Sequence, residues 1–471
     1  MIKNYLKIAW RNLMKNKAYS TINIGGLALG MAVTLMIGLW VYDELSHNNY
    51  FEKKDRIAQI FQSQTFNGNI GTGPAIPRPL EMALREGYDD NFKHIVMSSW
   101  TTPLYLNYKE KSLSKDGNYM QQGAPDMLGL TILKGEKDGL RKINSIMLSK
   151  SVSDALFEDE EPIGKVVKVN SQFDAEVTAV YEDIPVNNSF NDLQFIIPWE
   201  KYLTLYEWIK NAEDQWGNNS FQLFVEIPEN SSIEQVTSTI KDVKKESSGD
   251  EAEFNPQLFL LPMKDWYLRN SFQNGVQVGG RIKYVWLFGI IGTFVLLLAC
   301  INFMNLSTAR SEKRAKEVGI RKSIGSQRKQ IINQFLSESF LVTLFAYVLA
   351  VVMVLLFLNA FNDLSRKEIS FPWQNITFWL ISLVFIIFTS LLAGSYPALY
   401  LSSFRPVDVL KGTFTAGKYA GLPRKILVVL QFTVSVAFII GTVIVMQQIN
   451  FAKNRPVGYD TKGLVQIPVM S

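Results

Sequence analysis

Cysteine and histidine are almost absent from the 471 residues of this chain. The single cysteine is Cys300, so no disulfide can form within the chain. The two histidines are His47 and His94, and neither has a second histidine at the spacing of helical metal ligands. An HExxH motif is missing as well. The sequence therefore predicts neither a metal site nor a disulfide-stapled scaffold.

Motifs of nucleotide binding and catalysis are also missing. A P-loop needs GxxxxGK followed by Ser or Thr, because backbone amides and the lysine hold the phosphates. The stretch "EPIGKVV", Glu161 to Val167, lacks the first glycine and the hydroxyl. The GxSxG motif does not occur, although spacing alone does not rule out a Ser/His/Asp set. We therefore predict a chain that is not an enzyme and that binds no cofactor of its own.

Long apolar runs, by contrast, are plentiful in a chain that is 47% hydrophobic and 19% charged. Crossing the hydrocarbon core of a bilayer takes about 20 apolar residues. Five runs qualify: Ile22–Val41, Tyr284–Phe303, Phe335–Leu358, Phe378–Tyr400 and Ile426–Met446. The first is too long for a signal peptide and lacks a cleavage site of small residues, so it is predicted to remain as an anchor. The mixed sequence of about 240 residues between the first two runs is long enough to form a domain with its own core.

Local signals in that long segment predict an α+β domain. A helix is indicated by "PRPLEMALREGY", which Pro77 and Pro79 would open, and a strand followed by a helix by "SIMLSKSVSDALF". Apolar and polar positions alternate on both sides of Asn170–Ser171, as they do in a hairpin. Strand, turn and helix recur in "FQLFVEIPENSSIEQVTSTIKDVKKES", and "NPQLFLLPMKDWYL" adds a further strand.

Positive charge is concentrated on one side of the predicted spans. The segment before the first span, the loop Arg310–Gln330 and the segment after the fourth span together carry +15. The rest of the chain carries −10, which leaves the overall +5. Because Lys and Arg near span ends stay in the cytoplasm, these three segments are predicted to lie inside and the large domain outside.

The N-terminal segment "MIKNYLKIAWRNLMKNKAY" predicts an amphipathic helix that lies on the inner leaflet and anchors the first span. Its apolar face includes Tyr5, Leu6, Trp10 and Leu13, while basic residues occupy the opposite face. An ordinary amphipathic helix packed on protein is the alternative.

Small residues cluster in the first span, in the segment "GGLALG". Gly25, Gly26 and Gly30 would permit close helix packing at a dimer interface or at a seam between two halves of the molecule. A glycine cluster that is merely tolerated is an equal alternative.

The order of residues in the loop Arg310–Gln330 carries more than a topology signal. Val318, Ile320 and Ile324 interleave with the charges, and Gly325–Ser326 is typical of a helix end followed by a new N-cap. The pattern predicts a short helix parallel to the membrane, then a second helix that rises into the third span. Such an exposed elbow is typical of a docking surface for protein, whereas no nucleic-acid-binding fold is recognisable in it.

The end of the chain echoes its beginning. After the fifth span, "QQINFAKNRPVGYDTKGLVQIPV" loosely repeats "ELSHNNYFEKKDRIAQIFQ", which follows the first span. We interpret this as the start of a second copy of the same unit, cut off at Ser471. An unrelated final hairpin is the alternative.

The stretch "KRAKEVGIRKSIGSQRKQIINQFLSESFLVTLFA" closely resembles the loop between spans two and three of MacB/FtsX-type ABC transporter permeases. Further matches follow in the family's order: "NNYFEKKDRIAQIF", "NSIMLSKSVSDALFEDEEPIGKVVKVN" and "AGSYPALYLSSFRPVDVLKG". One departure is "FEDEEPIG", where Glu158 follows a phenylalanine that often precedes glycine in the family. The chain looks like the first unit of the family's long two-unit form, together with the first span of the second.

The resemblance implies a bacterial inner-membrane protein with the following segments: an interfacial helix (1–19), a first span (20–42), a MacB-like periplasmic core domain (43–283), an FtsX-like permease domain (284–412) with a coupling loop (309–332), a cytoplasmic linker (413–425), and a fifth span that opens a truncated second unit (426–471). The fold class expected is a helical transmembrane bundle of five spans with a large α+β extracytoplasmic domain.

The resemblance also implies a permease without its own ATPase. A separate cytoplasmic ABC ATPase would bind ATP and Mg²⁺ and would dock on the coupling loop. Other implied partners are the lipid bilayer, a periplasmic adaptor or outer-membrane channel, and a second permease unit in a dimer or pseudo-dimer. The residues carried over for docking are Lys316, Glu317, Val318, Gly319, Ile320, Arg321, Lys322 and Gly325.

Two functions are compatible with these implications. The first is a permease subunit that couples ATP hydrolysis to movement of the outer domain, for efflux or for handling of lipoproteins or peptides. The alternative is a membrane-anchored mechanotransducing regulator of a cell-wall hydrolase or sensor kinase, with nothing transported. An efflux substrate that accumulates in a deletion strain would favour the first, and a co-purifying hydrolase or kinase the second.

Overall fold

The computed structural model describes residues 10–11, 14–15, 17–309, 311–404 and 422–455, and the side chains at 311–316, 423 and 424 are outside the description. Two compact units form within these ranges. One combines the stretch up to Tyr42 with the stretch from Trp286 onward, and the other is Asp43–Val285.

The helices are α1 (Lys17–Leu45), α2 (Pro79–Tyr88), α3 (Ala124–Leu128), α4 (Lys150–Phe157), α5 (Trp199–Leu205), α6 (Glu207–Lys210), α7 (Ile233–Ile240), α8 (Val243–Ser247), α9 (Ile282–Ala309), α10 (Ser311–Ser323), α11 (Arg328–Ser365), α12 (Ile376–Ser402) and α13 (Leu422–Asn454). The strands are β1 (Ile57–Phe66), β2 (Asn69–Gly73), β3 (Ile76–Pro77), β4 (His94–Ser98), β5 (Thr102–Tyr108), β6 (Lys111–Met120), β7 (Ile132–Gly135), β8 (Ser145–Ser149), β9 (Val166–Val169), β10 (Phe173–Tyr181), β11 (Phe195–Pro198), β12 (Asn219–Glu226), β13 (Gln257–Pro262), β14 (Ser271–Gln273) and β15 (Val276–Gly279).

Five helices are long and apolar enough to cross a membrane within the described part of the chain: α1, α9, α11, α12 and α13. Each contains one of the five predicted runs, so the five spans are confirmed. With 38 residues, α11 is about 57 Å long at 1.5 Å per residue, well beyond the ~30 Å of hydrocarbon. It therefore reaches out of the bilayer.

The core of the membrane unit is built from four of these helices. Apolar residues of α1, α9, α11 and α12 form one buried cluster, which includes Met31, Cys300, Ala346 and Ala393. The fifth helix, α13, lies against α9, where the side-chain amides of Asn305 and Gln431 approach to 3.4 Å. None of the 18 residues in its most apolar stretch is buried by the described part of the chain, so most of the apolar surface of α13 is uncovered.

The outer unit is organised around one sheet of thirteen strands. The main order is β11-β8-β10-β9-β5-β6-β4-β12-β1-β13, and β11 pairs with β6 as well as with β8. This extra pairing closes β6, β11, β8, β10, β9 and β5 into a ring. Because β10–β8 and β11–β6 are parallel while the other pairs are antiparallel, the sheet is mixed. A large apolar cluster with Ile60, Leu148 and Leu223 packs on it.

The segment that follows α1 is fixed to this sheet by a buried network of charges. The side chain of Glu226, at the end of β12, is fully buried. Its carboxylate lies 3.2 Å from Nζ of Lys53, 3.4 Å from Nζ of Lys93 and 2.9 Å from Nδ1 of His94. Nε2 of His94 in turn lies 3.2 Å from a carboxylate oxygen of Asp126. Burial acts to raise the pKa of Glu226, but the hydrogen bonds from His94 and Lys53 outweigh it and hold the pKa below its usual range.

The predicted elements of the outer domain are all present. Pro79 occupies the first turn of α2, as its missing N–H allows. The prediction that Pro77 also opens this helix is wrong, because Pro77 is the last residue of β3. Asn170 and Ser171 form the turn of the β9–β10 hairpin with φ of 47° and 58°, which is the left-handed region that short hairpin turns use. The α+β character of the domain is confirmed. The closed ring and the long β5–β6 hairpin have no counterpart among the predicted elements.

Candidate coupling site

The loop between spans two and three folds as the predicted elbow. Helix α10 ends at Ser323, and Gly325 follows with φ of +99°. The amide of Ser326 donates to the carbonyl of Arg321 at 3.0 Å and the amide of Gly325 to that of Lys322 at 3.1 Å, which is the Schellman pattern of helix termination. The next N-cap is Gln327, one residue later than predicted, because its N–H is accepted by the side chain of Gln330 at 3.1 Å.

One face of α10 is packed against the inner ends of α11 and α12. Val318 is 3% exposed and lies in a small apolar cluster with Ile331 and Phe335 of α11 and with Ala398 and Leu401 of α12. Gly319 is buried beside it. These two docking candidates therefore serve the packing of the elbow.

Two basic docking candidates also turn toward the bundle. The guanidinium of Arg321 donates to Gln334 of α11 and, at 2.6 Å, to Glu317. Nζ of Lys322 donates to the carbonyls of Ser402 at 2.6 Å and Phe404 at 2.8 Å. Burial, followed by the charge of the nearby Arg328, lowers the pKa of Lys322.

The opposite face of α10 is open. Ile320 is 50% exposed and Ile324 is 81% exposed, and their spacing of four residues places them on one face of the helix. The side chain of Glu317 flanks them and is 48% exposed. Gly325 is exposed at the turn, whereas the side chain of Lys316 is outside the described set. Ile324 was missing from the docking candidates, although its place in the amphipathic pattern of α10 could have identified it.

The glycines of α1 pack within the chain. At Gly30 an added Cβ would overlap the Cβ of Ala299 on α9, and at Gly26 it would lie 3.4 Å from Nδ2 of Asn302. The hydroxyl of Thr34 donates across to the carbonyl of Gly292 at 3.2 Å. At Gly25 no described residue lies within 4 Å of such a Cβ. The close approach in this structure is therefore between spans one and two, and Gly25 takes no part in it.

A polar clamp, defined by Glu44, His47, Asn187, Tyr267 and Arg281, joins the outer ends of the same two spans. Glu44 is 1% exposed in the last turn of α1, and its carboxylate accepts from Arg281 at 3.2 Å and from the hydroxyl of Tyr267 at 2.9 Å. The guanidinium of Arg281 lies 4.6 Å from the centre of the Tyr267 ring, which stacks on His47 at 3.9 Å. Nδ1 of His47 lies 2.9 Å from the side-chain oxygen of Asn187. Since Arg281 directly precedes α9, the clamp ties the segments where the chain leaves and re-enters the spans.

The predicted interfacial anchor lies almost entirely outside the described residues. Tyr5, Leu6 and Leu13 are not described, and only Trp10 is. Its ring is half exposed, with its centre 5.6 Å from that of Phe345 on α11. The anchoring role stays a prediction, as does the second-unit repeat, because residues 456–471 also lie outside the described ranges.

Sequence comparison places two family profiles on the chain. The profile of the MacB-like periplasmic core domain matches residues 20–243, and that of the FtsX-like permease C-terminal domain matches residues 289–406. The first therefore covers α1 and most of the outer domain, and the second covers α9 through α12 with the elbow.

Relatives of both domains are distant in sequence. The macrolide export ATP-binding/permease protein MacB of Campylobacter jejuni is 24% identical over 273 residues, which are 57% of this chain and 39% of that protein. The ABC transporter permease YknZ of Bacillus subtilis is 22% identical over 330 residues, which are 67% of this chain and 75% of that protein. The chain thus spans less than half the length of the MacB relative.

Solved structures of outer domains are also similar to part of this chain. A domain of a Porphyromonas gingivalis permease is 18% identical, with a TM-score of 0.38. The similarity extends over 91% of that domain and 45% of this chain. The periplasmic region of MacB from Actinobacillus actinomycetemcomitans is 15% identical, with a TM-score of 0.33. The similarity extends over 94% of that region and 46% of this chain.

Proposed function

Because this chain belongs to the MacB/FtsX type of ABC transporter permeases, we propose that it is the membrane subunit of an exporter whose ATP is hydrolysed by a separate ATPase subunit. ATP and Mg²⁺ would be bound by that subunit, in the cytoplasm. The outer domain would handle a substrate on the far side of the inner membrane, such as an efflux substrate, a lipoprotein or a peptide. A periplasmic adaptor or an outer-membrane channel is the further partner of such a machine.

The observation that carries this proposal is the open face of the elbow. Ile320 and Ile324 are exposed apolar side chains on a helix whose other face is fixed to α11 and α12. Exposed apolar side chains such as Ile320 and Ile324, next to the acidic side chain of Glu317, are typical of a surface that binds another protein. The positive charge of the three inner segments supports a cytoplasmic position for the elbow and for the N-terminus.

Force on the elbow would reach the outer domain through α1 and α9. These two helices touch at Gly30 and Ala299, and again where the Trp40 and Phe288 rings meet with centres 5.0 Å apart. Their outer ends are joined by the polar clamp. Helices in such contact move together more readily than apart, so ATP-driven motion of the ATPase subunits would be passed on as a displacement of the pair.

Ile320→Asp and Ile324→Asp are each expected to abolish co-purification of the ATPase subunit from detergent-solubilised membranes. An acidic group at the centre of a desolvated contact typically costs 2 kcal/mol or more, which is a ~30-fold loss of affinity. The matched control is Leu364→Asp, because Leu364 is 85% exposed at the opposite end of α11. Mass spectrometry identifies the partner by its P-loop.

Either of two results would contradict the proposal. If no P-loop protein accompanies the wild type, the chain does not work with a separate ATPase. If such a protein is recovered equally with all variants, the ATPase docks elsewhere and the exposed isoleucines have another role.

A further inference from the structure

We propose that Lys322 does not contact the ATPase but couples the elbow to span four, so that a push on α10 is shared by α9 and α12. The inference rests on the proposed function, since it assigns a residue of the same elbow to transmission. Lys322 is thus a positioning residue, which acts through the end of α12.

The side chain of Lys322 points toward the end of α12. Nζ of Lys322 donates at 2.6 Å to the carbonyl of Ser402, the last residue of α12, and at 2.8 Å to that of Phe404, two residues beyond the helix. The last carbonyls of a helix have no partner within it and carry its negative dipole end, so a cation there is favourably placed. With two of its three N–H groups engaged on the bundle, the ammonium is turned away from the face that bears Ile320 and Ile324.

The end of α12 depends on contacts with neighbouring helices, because Pro397 interrupts the hydrogen bonding of the helix itself. Pro397 lies inside the helix, and proline supplies no N–H to the carbonyl four residues earlier, at Ala393. Just before this break, Gly394 lies so close to α11 that an added Cβ would meet Oγ of Ser339 at 2.6 Å. Gly394 is therefore a close contact of α12 with α11, and the turns after Pro397 depend on further contacts with neighbouring helices.

Those contacts come from α10 and from the first turns of α11, including Ile331 and Phe335. Ala398 and Leu401 are fully buried and belong to the apolar cluster that contains Val318. The guanidinium of Arg328, at the start of α11, donates to Oγ of Ser402 at 3.3 Å. Lys322 adds the two charged hydrogen bonds to the carbonyls, so the latch consists of Val318, Lys322 and Arg328 against the end of α12.

Displacement of the elbow can be passed to two spans, α9 and α12. Helix α10 follows directly after α9 in the chain, with residue 310 between them. Through the latch it also holds α12, which has no such direct connection in sequence. Without Lys322, displacement of the elbow would still reach α9, but the end of α12 could lag behind.

The test measures the distance between spin labels at Ser323→Cys, on α10, and Ser403→Cys, just after α12. Both positions are exposed, and the native Cys300 is buried. The full-length permease is reconstituted with its ATPase subunit and compared without nucleotide and in an ATP-trapped state. In the wild type we expect the same narrow distance distribution in both states, because the latch keeps the two segments together.

Lys322→Met keeps the length of the side chain but removes its donors. We expect it to retain the ATPase subunit on purification and to lose the narrow distribution in the ATP-trapped state. Lys322→Arg, which restores donors, should return the narrow distribution. The control Lys329→Met removes an exposed lysine of the same elbow and should leave both readouts as in the wild type.

The outcomes separate this inference from the function on which it rests. If Lys322→Met loses the ATPase as Ile324→Asp does, Lys322 belongs to the docking surface and the inference is wrong. It is also wrong if Lys322→Met keeps a narrow distribution, or if the wild-type distance changes with ATP. Failure of the wild type to bind any ATPase would instead refute the proposed function.

Discussion

Replacing Glu226 by glutamine is expected to lower the free energy of unfolding of the outer domain by about 3–5 kcal/mol, the usual effect of removing one partner from a buried ion pair. The change is nearly isosteric, so packing is preserved. What is lost is the negative charge that compensates Lys53, Lys93 and Arg56 around a fully buried carboxylate, which also contacts His94. Denaturant unfolding of the full-length protein can be followed by tryptophan fluorescence, to which Trp266 contributes with its ring centre 5.5 Å from that of Phe224, on the strand that carries Glu226.

The matched control is Glu229→Gln, three residues further along the chain. Glu229 pairs with Arg56 at 2.5 Å, and this arginine also lies 3.8 Å from Glu226, but the side chain of Glu229 is 84% exposed. Exposed ion pairs contribute ~0–1 kcal/mol, so this control should unfold close to the wild type. A loss of about 1 kcal/mol or less in Glu226→Gln would mean that the network around Glu226 contributes no more than an exposed ion pair.

The same carboxylate makes stability depend on acidity. Because the folded pKa of Glu226 is depressed, its contribution is fully present above the pKa of the unfolded chain, about 4.3 for glutamate. It is lost as the pH falls below that value and through the lower folded pKa. Wild type and Glu226→Gln should therefore converge in stability as the pH is lowered through this window. A difference that stays constant down to the lowest pH would contradict the assignment.

Gly30→Leu is expected to be the most damaging single change among the glycines of the first span. Even a Cβ at this position overlaps Ala299, so a larger side chain must force α1 and α9 apart. Overpacking of a tight interior typically costs about 1–3 kcal/mol. The thermal midpoint of the detergent-solubilised protein, followed by circular dichroism or by reactivity of the buried Cys300, should fall.

Gly25→Leu serves as the control for this change, since in the part of the chain that the structure describes nothing lies within 4 Å of a Cβ there. The two variants have the same composition and lie five residues apart on one helix. Similar midpoints for both would show that the α1–α9 contact does not limit stability. A larger loss at Gly25 would instead point to a contact with a partner helix, such as the seam that the small-residue segment suggested.

Hydropathy and local turn chemistry were enough to predict the spans, the α+β character of the outer domain and the bend at Gly325. These features depend on residues close together in the sequence, such as Asn170 with Ser171. The direction of Lys322 could not be predicted in this way, because its acceptors lie 80 residues later, at the end of α12. Periodicity likewise could not separate Gly30 from Gly25, since only the packed bundle decides which glycine faces α9. The ring of strands closes through β6 and β11, whose pairing no local pattern encodes.

The polar clamp has a further consequence for the evolution of such molecules. Glu44 and Arg281 are 237 positions apart in sequence, yet their side chains touch. The outer domain thus begins and ends at one place, as inserted domains do, and a domain with adjacent ends can be exchanged with little disturbance of its host. Three members of the clamp, His47, Asn187 and Tyr267, lie between these two residues, so a foreign domain grafted there would keep only the contact of Glu44 with Arg281. The contact of Glu44 with Arg281 thus marks where the domain could be exchanged while the membrane bundle and its elbow stay unchanged.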